Sequence, residues 1–164
     1  MSDFFSLYSH EFVRVACCVP RTRVADAAYN LAETLKLAAQ GDRARAAVMV
    51  FPELGLSSYA IEDLLLQDAL LDEIERSVAE VVKASKKHNP VLIVGAPLRV
   101  RGRLYNTAIV IHRGAILGVV PKSFLPNYRE YYEKRWFAHG RHAVGQTIAL
   151  GGREVPFGTD LLFT

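Results

Sequence analysis

Short, uniformly apolar runs alternate with longer stretches in which apolar residues recur every three or four positions, a pattern that predicts strands and helices in turn. Val13 to Val19 is rich in β-branched residues and ended by Pro20, so it predicts a buried strand. Asp26 is placed to cap a helix whose apolar residues Leu31, Leu35, Ala38 and Ala39 share a face before Gly41 stops it. Ala46 to Phe51, closed by Pro52, predicts a second buried strand, and the strand-helix-strand order predicts a parallel crossover.

From Ile61 to His88 the apolar residues Leu64, Leu65, Leu71, Ile74, Val78 and Val81 keep helical steps, predicting a long helical region that admits a break and ends at Asn89-Pro90. Val91 to Ala96 predicts a third buried strand. Leu104 to His112 and Ala115 to Val120 predict a hairpin about Arg113-Gly114, and Gln146 to Leu150 and Arg153 to Phe157 a second one about Gly151-Gly152. Leu161 to Phe163 starts one more strand. No repeat, low-complexity tract or flexible linker interrupts the order, so the pattern predicts a single α/β unit.

Composition narrows the function classes. With 51% hydrophobic and 23% charged residues the chain is neither disordered nor collagenous. Twenty Lys and Arg against 17 Asp and Glu leave a net charge of +3, scattered rather than gathered into a basic face, so no nucleic-acid partner is expected. There is no signal-peptide pattern and no run of 18 apolar residues, which predicts no membrane span and, by default, a cytoplasmic setting. Cys17 and Cys18 are sequence neighbours in an apolar strand, so they predict core thiols without a disulfide. His10, His88, His112, His139 and His142 lack metal-ligand spacing, and Gly140 between the last pair argues for a loop, so no metal is expected. Nor does a glycine-rich phosphate loop occur.

Two segments carry candidate chemistry. Phe51-Pro52-Glu53 puts a carboxylate just beyond the carboxyl end of a strand, where ligands bind in open α/β sheets. Behind it Ser57 and Ser58 are candidate helix caps and Tyr59 a candidate pocket wall. Lys122 likewise follows a strand end, in a loop stiffened by Pro121 and Pro126; beside a carboxylate such a lysine stays charged and can stabilise an oxyanion. The aromatics Tyr128, Tyr131, Tyr132, Trp136 and Phe137 are interleaved with Glu130, Glu133, Lys134 and Arg135, which reads as packing or an interface.

The segments Phe51 to Tyr59, Asp63 to Asp68, Val94 to Leu98, Leu104 to Asn106 and Pro121 to Phe137, with the opening Asp3 to Tyr8, resemble the nitrilase superfamily in its glutamine amidase branch. The resemblance implies a nitrilase-type four-layer αββα sandwich of which residues 1–164 are only the N-terminal part. It implies a Glu, Lys, Cys triad, in which Glu53 is the general base and Lys122 stabilises the tetrahedral intermediate. Glu130 matches an additional glutamate, with Glu133 as competitor, and Tyr59 and Tyr128 are candidates to line the glutamine pocket. The family nucleophile lies on a later strand, so the resemblance implies a chain truncated before its catalytic cysteine and inactive alone. It further implies a C-terminal synthetase domain, using ATP and Mg²⁺, that takes the ammonia to amidate nicotinic acid adenine dinucleotide, and a homo-oligomer; no cofactor belongs to this domain. A stand-alone amidohydrolase of the same superfamily and a non-catalytic binding or assembly module are the competing readings.

Overall fold

A computed structural model describes residues 4–164; Asp3 of the opening motif lies outside the described residues. Among the described residues, seven strands form one mixed sheet in the order β1-β2-β3-β4-β5-β7-β6. β1 (Val15–Cys17), β2 (Val48–Val50) and β3 (Val91–Val100) are parallel, and β3, β4 (Arg103–His112) and β5 (Ala115–Pro121) form an antiparallel meander. β6 (Gln146–Leu150) and β7 (Arg153–Phe157) form the second hairpin within its predicted bounds, and β7 lies parallel to β5. The carboxyl ends of β2, β3 and β5 therefore meet at one end of the sheet.

Helix α1 (Ala27–Arg43) is the crossover between β1 and β2, and the Asp26 carboxylate accepts the Tyr29 N–H at 3.0 Å, as a cap should. The helix does not stop at Gly41. A Cβ there would come within 2.3 Å of the Met49 side chain, so this glycine lets β2 pack closely against the helix. The long helical stretch is broken at Gln67: a 3₁₀ turn (Glu62–Leu66) precedes α2 (Asp68–Ser85), which buries Leu71, Ile74, Val78 and Val81.

The helices cover the sheet face that carries Met49 and Leu92, both at most 1% exposed. Val15, Cys17 and Val50, which share the opposite face, are exposed. β1 is thus an edge strand with an open face rather than the buried strand its apolarity predicts, because one layer of helices can shield only one side. Two of the four expected layers, helix and sheet, are present. Leu161 to Phe163 forms no strand; Leu161 and Phe163 instead fold over Gly118 of β5, where a Cβ would lie 2.8 Å and 3.0 Å from their side chains. Among the described residues no helix is long and apolar enough to cross a membrane.

Candidate active site

The Phe51 N–H donates to the Ile93 carbonyl at 2.9 Å, completing the β2–β3 ladder, and the chain then turns sharply. The Gly55 N–H returns to the Pro52 carbonyl at 3.1 Å, and buried Leu54 takes a left-handed φ of 53°. A non-glycine residue in that region costs about 1–3 kcal/mol, so the surroundings must enforce the turn. They do so from below. Gly95 of β3 sits under the loop, where a Cβ would lie 2.3 Å from the Pro52 carbonyl oxygen and 2.6 Å from the Leu54 nitrogen.

Glu53 projects from this turn and Lys122 from the end of β5. The Lys122 Nζ donates to Glu53 Oε1 at 2.9 Å, to Glu53 Oε2 at 3.0 Å and to Glu133 Oε1 at 3.0 Å. The Asn106 amide donates to Glu53 Oε1 at 2.8 Å, and the Tyr59 hydroxyl donates to Glu133 Oε1 at 2.7 Å. Glu133 is 2% exposed and its Oε2 has no partner. Burial pulls the Lys122 ammonium towards neutrality, but its hydrogen bonds and charge contacts with Glu53 and Glu133 outweigh that and leave its pKa above the usual lysine value. Burial, and then the bond to Glu133, push the Tyr59 phenol well above its ordinary range, so it remains a neutral donor.

Glu130, the predicted additional glutamate, is not in this cluster. The Tyr131 N–H closes a turn on the Tyr128 carbonyl at 2.9 Å, with Arg129 at φ 52°, and Glu130 is left exposed. The Glu133 N–H bonds to the Pro126 carbonyl at 3.1 Å and brings its side chain inside, so Glu133 is the glutamate that meets Lys122. Cross-links to the 3₁₀ turn beyond Glu53 hold this stretch. Arg135 forms a two-pronged pair with Asp63 at 2.8 and 2.7 Å, Trp136 Nε1 donates to the same carboxylate at 2.8 Å, and Tyr132 bonds to Glu62. Those bonds, first from Arg135 and then from Trp136, hold the Asp63 carboxyl well below the usual carboxylate range.

Tyr59, Glu133 and the exposed Glu130 help line a cavity of about 170 Å³ between the two loops. Tyr128 is reached through Tyr131, whose ring lies 6.4 Å from that of Tyr59 and 5.8 Å from that of Tyr128. Tyr128 itself lines a separate cleft with Phe124, Lys134, His139 and Arg141. Ser57 does not cap a helix: its hydroxyl donates to the Leu54 and Ser58 carbonyls and locks the turn. His139 precedes a short 3₁₀ turn, Gly140–His142, where a plain loop is expected. The cysteines depart from expectation too, since Cys17 is exposed and Cys18 half-buried rather than core. Burial and then the neighbouring Cys17 do raise the Cys18 thiol, as an apolar setting should. Among the described residues neither thiol is hydrogen-bonded to Glu53 or Lys122.

The arrangement brings together a carboxylate able to take a proton, a lysine whose charged form its carboxylate partners favour, and a second, buried carboxylate, at the strand ends where an α/β sheet binds ligands. Sequence reasoning gave no role to Asn106, Gly95 or Asp63. The amide within a largely apolar strand was the available signal for Asn106, because a buried amide needs a partner.

Residues 14–159 match the family described as carbon-nitrogen hydrolase. The chain is 56% identical over 161 residues to a glutamine-dependent NAD(+) synthetase of Mycobacterium tuberculosis and 53% identical to that of Mycobacterium leprae. Each alignment covers 98% of this chain and 24% of the relative, so the chain spans about a quarter of their length. The crystal structure of a glutamine-dependent NAD(+) synthetase from Cytophaga hutchinsonii superposes with a TM-score of 0.85 at 25% identity, covering 93% of this chain and 26% of that one. An amidase from Nesterenkonia sp. shares the fold, with a TM-score of 0.68 at 20% identity over 87% of this chain and 53% of the amidase.

Proposed function

The chain belongs to the carbon-nitrogen hydrolase family, and from that premise we propose that it is the base- and lysine-bearing part of a glutamine amidase that supplies ammonia for NAD synthesis. The observation that carries the reading is the Lys122 ammonium clasped between Glu53 and Glu133 at the carboxyl ends of β2 and β5. The likeness to mycobacterial relatives, named for glutamine dependence, supplies the substrate.

In this reading a cysteine thiol from outside these 164 residues attacks the glutamine amide carbon. Its proton passes to Glu53, and Lys122 stabilises the oxyanion that forms on the amide oxygen. Collapse breaks the C–N bond; the leaving nitrogen takes the proton and departs as ammonia, leaving a thioester. Water, giving its proton to Glu53, then attacks the thioester and releases glutamate and the thiol. Cys17 and Cys18 do not serve as that nucleophile, because neither engages the base. These residues need no cofactor; ATP and Mg²⁺ act in a synthetase domain that amidates nicotinic acid adenine dinucleotide. A homo-oligomer and a cytoplasmic setting belong to the same proposal.

The test uses the full-length protein that carries this chain. Lys122→Ala abolishes synthesis of NAD from glutamine and leaves synthesis from free ammonia largely intact. Equal loss with both nitrogen donors overturns the assignment. Glutamine hydrolysis with no synthesis from either donor points instead to a stand-alone amidohydrolase.

A further inference from the structure

We propose that Asn106 is a positioning residue for this amidase chemistry, fixing the Glu53 carboxylate with its side chain and the Lys122 loop with its main chain. The inference rests on the amidase reading and adds to it a residue that acts through Glu53 and Lys122. Asn106 is 2% exposed and stands on β4, the strand paired with both β3 and β5. Its Nδ2 donates to Glu53 Oε1 at 2.8 Å. Its carbonyl accepts the Lys122 N–H at 2.8 Å, at the point where β5 gives way to the lysine loop. One residue thus ties together two loops that are 69 positions apart in the chain.

The consequence lies in which carboxylate oxygen is left to work. Oε1 accepts two hydrogen bonds, from Asn106 and from Lys122, whereas Oε2 accepts one, from Lys122. A carboxylate oxygen has about two lone-pair sites, so Oε1 is filled and Oε2 keeps one free. Held by donors from two elements, the group cannot swing to exchange its oxygens, and Oε2 is the atom that takes the thiol proton. Lys122 cannot fix this alone, because it also serves Glu133, which in turn holds Tyr59. An amide is required at position 106: a carboxylate would set a second negative charge against Oε1, and an aliphatic side chain would free the group to rotate.

The experiment compares N106A, N106D and E53Q in the full-length protein, measuring glutamine hydrolysis against pH, synthesis from free ammonia and the melting temperature. N106A lowers kcat for glutamine roughly 10-fold and N106D roughly 100-fold, the scale of a lost charge-assisted hydrogen bond and of a misplaced catalytic group. KM stays within about twofold, as it must when ground-state binding is untouched. In N106D the acid limb of the kcat/KM profile moves to higher pH, because a like charge beside a carboxylate disfavours its ionised form. Synthesis from ammonia and the melting temperature stay near wild type in N106A. Wild-type kcat and pH profile in N106A, in a protein that E53Q inactivates, overturn the proposal. So does parallel loss of melting temperature and both activities in N106A, which assigns the residue to folding. Full glutamine hydrolysis by E53Q overturns the assignment of Glu53 as the base, and the proposal with it, whereas no glutamine hydrolysis by the wild-type protein overturns the amidase reading on which the proposal stands.

Discussion

The two loops that meet at the site are held in different ways. The Glu53 loop is short and is fixed by backbone: a ladder bond from Phe51, a return bond at Gly55, a left-handed Leu54 and the bare face of Gly95 beneath it. The Lys122–Phe137 loop is long, and to backbone bonds at Lys122, Tyr131 and Glu133 it adds side chains that reach across to the 3₁₀ turn after the first loop, Arg135 and Trp136 to Asp63 and Tyr132 to Glu62. Backbone fixing is unforgiving because atoms collide, whereas side-chain fixing is graded because exposed pairs contribute little each.

The largest effect should come from breaking the first arm. Gly95→Val drives a side chain into the Pro52 carbonyl and the Leu54 nitrogen, and overpacking of this kind costs roughly 1–3 kcal/mol or more. Glutamine hydrolysis is expected to vanish together with a clear fall in melting temperature, both measured on the full-length protein. Next comes Glu133→Gln, which removes the buried charge from Lys122 and is expected to lower hydrolysis roughly 100-fold. Glu130→Gln should stay within about twofold, as exposed substitutions do. Equal effects at the two glutamates would erase the distinction drawn between them.

Asp63→Asn weakens the second arm and is expected to cost a smaller, roughly 10-fold loss in kcat, in the range of a charge-assisted hydrogen bond. Its pH signature has a definite sign. A carboxyl whose folded pKa is depressed adds stability above its unfolded value of about 3.9 and loses it as the pH falls through the folded value. The difference in melting temperature between wild type and Asp63→Asn therefore holds from neutrality to about pH 5 and disappears towards strong acid. A smaller loss, several-fold, is expected of Tyr59→Phe, which deletes one donor to Glu133 Oε1 while Lys122 keeps the other; only Glu130→Gln should do less.

The fold was legible where a local signal sufficed. Asp26 marked the start of α1, Gly151-Gly152 the β6–β7 turn, and the apolar runs the core strands. The exposure of Val15 was not legible, because an apolar strand looks the same whether one face is covered or both. Glu53 and Lys122 were readable from their places after strands, and the structure brings them into contact. The choice between Glu130 and Glu133 was not, since the stretch from Tyr128 to Phe137 has no period, and the turn at Arg129 that leaves Glu130 exposed while Glu133 is buried leaves no mark on spacing. Asn106 escaped because its importance is a matter of distance across two strand pairings, which no single segment reveals.

The meander has a consequence for how the chain assembles. β3, β4 and β5 are joined by tight two-residue turns, so their pairing closes small loops and carries little entropic penalty. β2 reaches β3 only across the whole of α2, a far larger closure. Local pairing runs ahead of distant pairing in folding chains, so the strand bearing Asn106 and the root of the lysine loop should form an early nucleus. The loop that carries Glu53 then docks after the meander has formed.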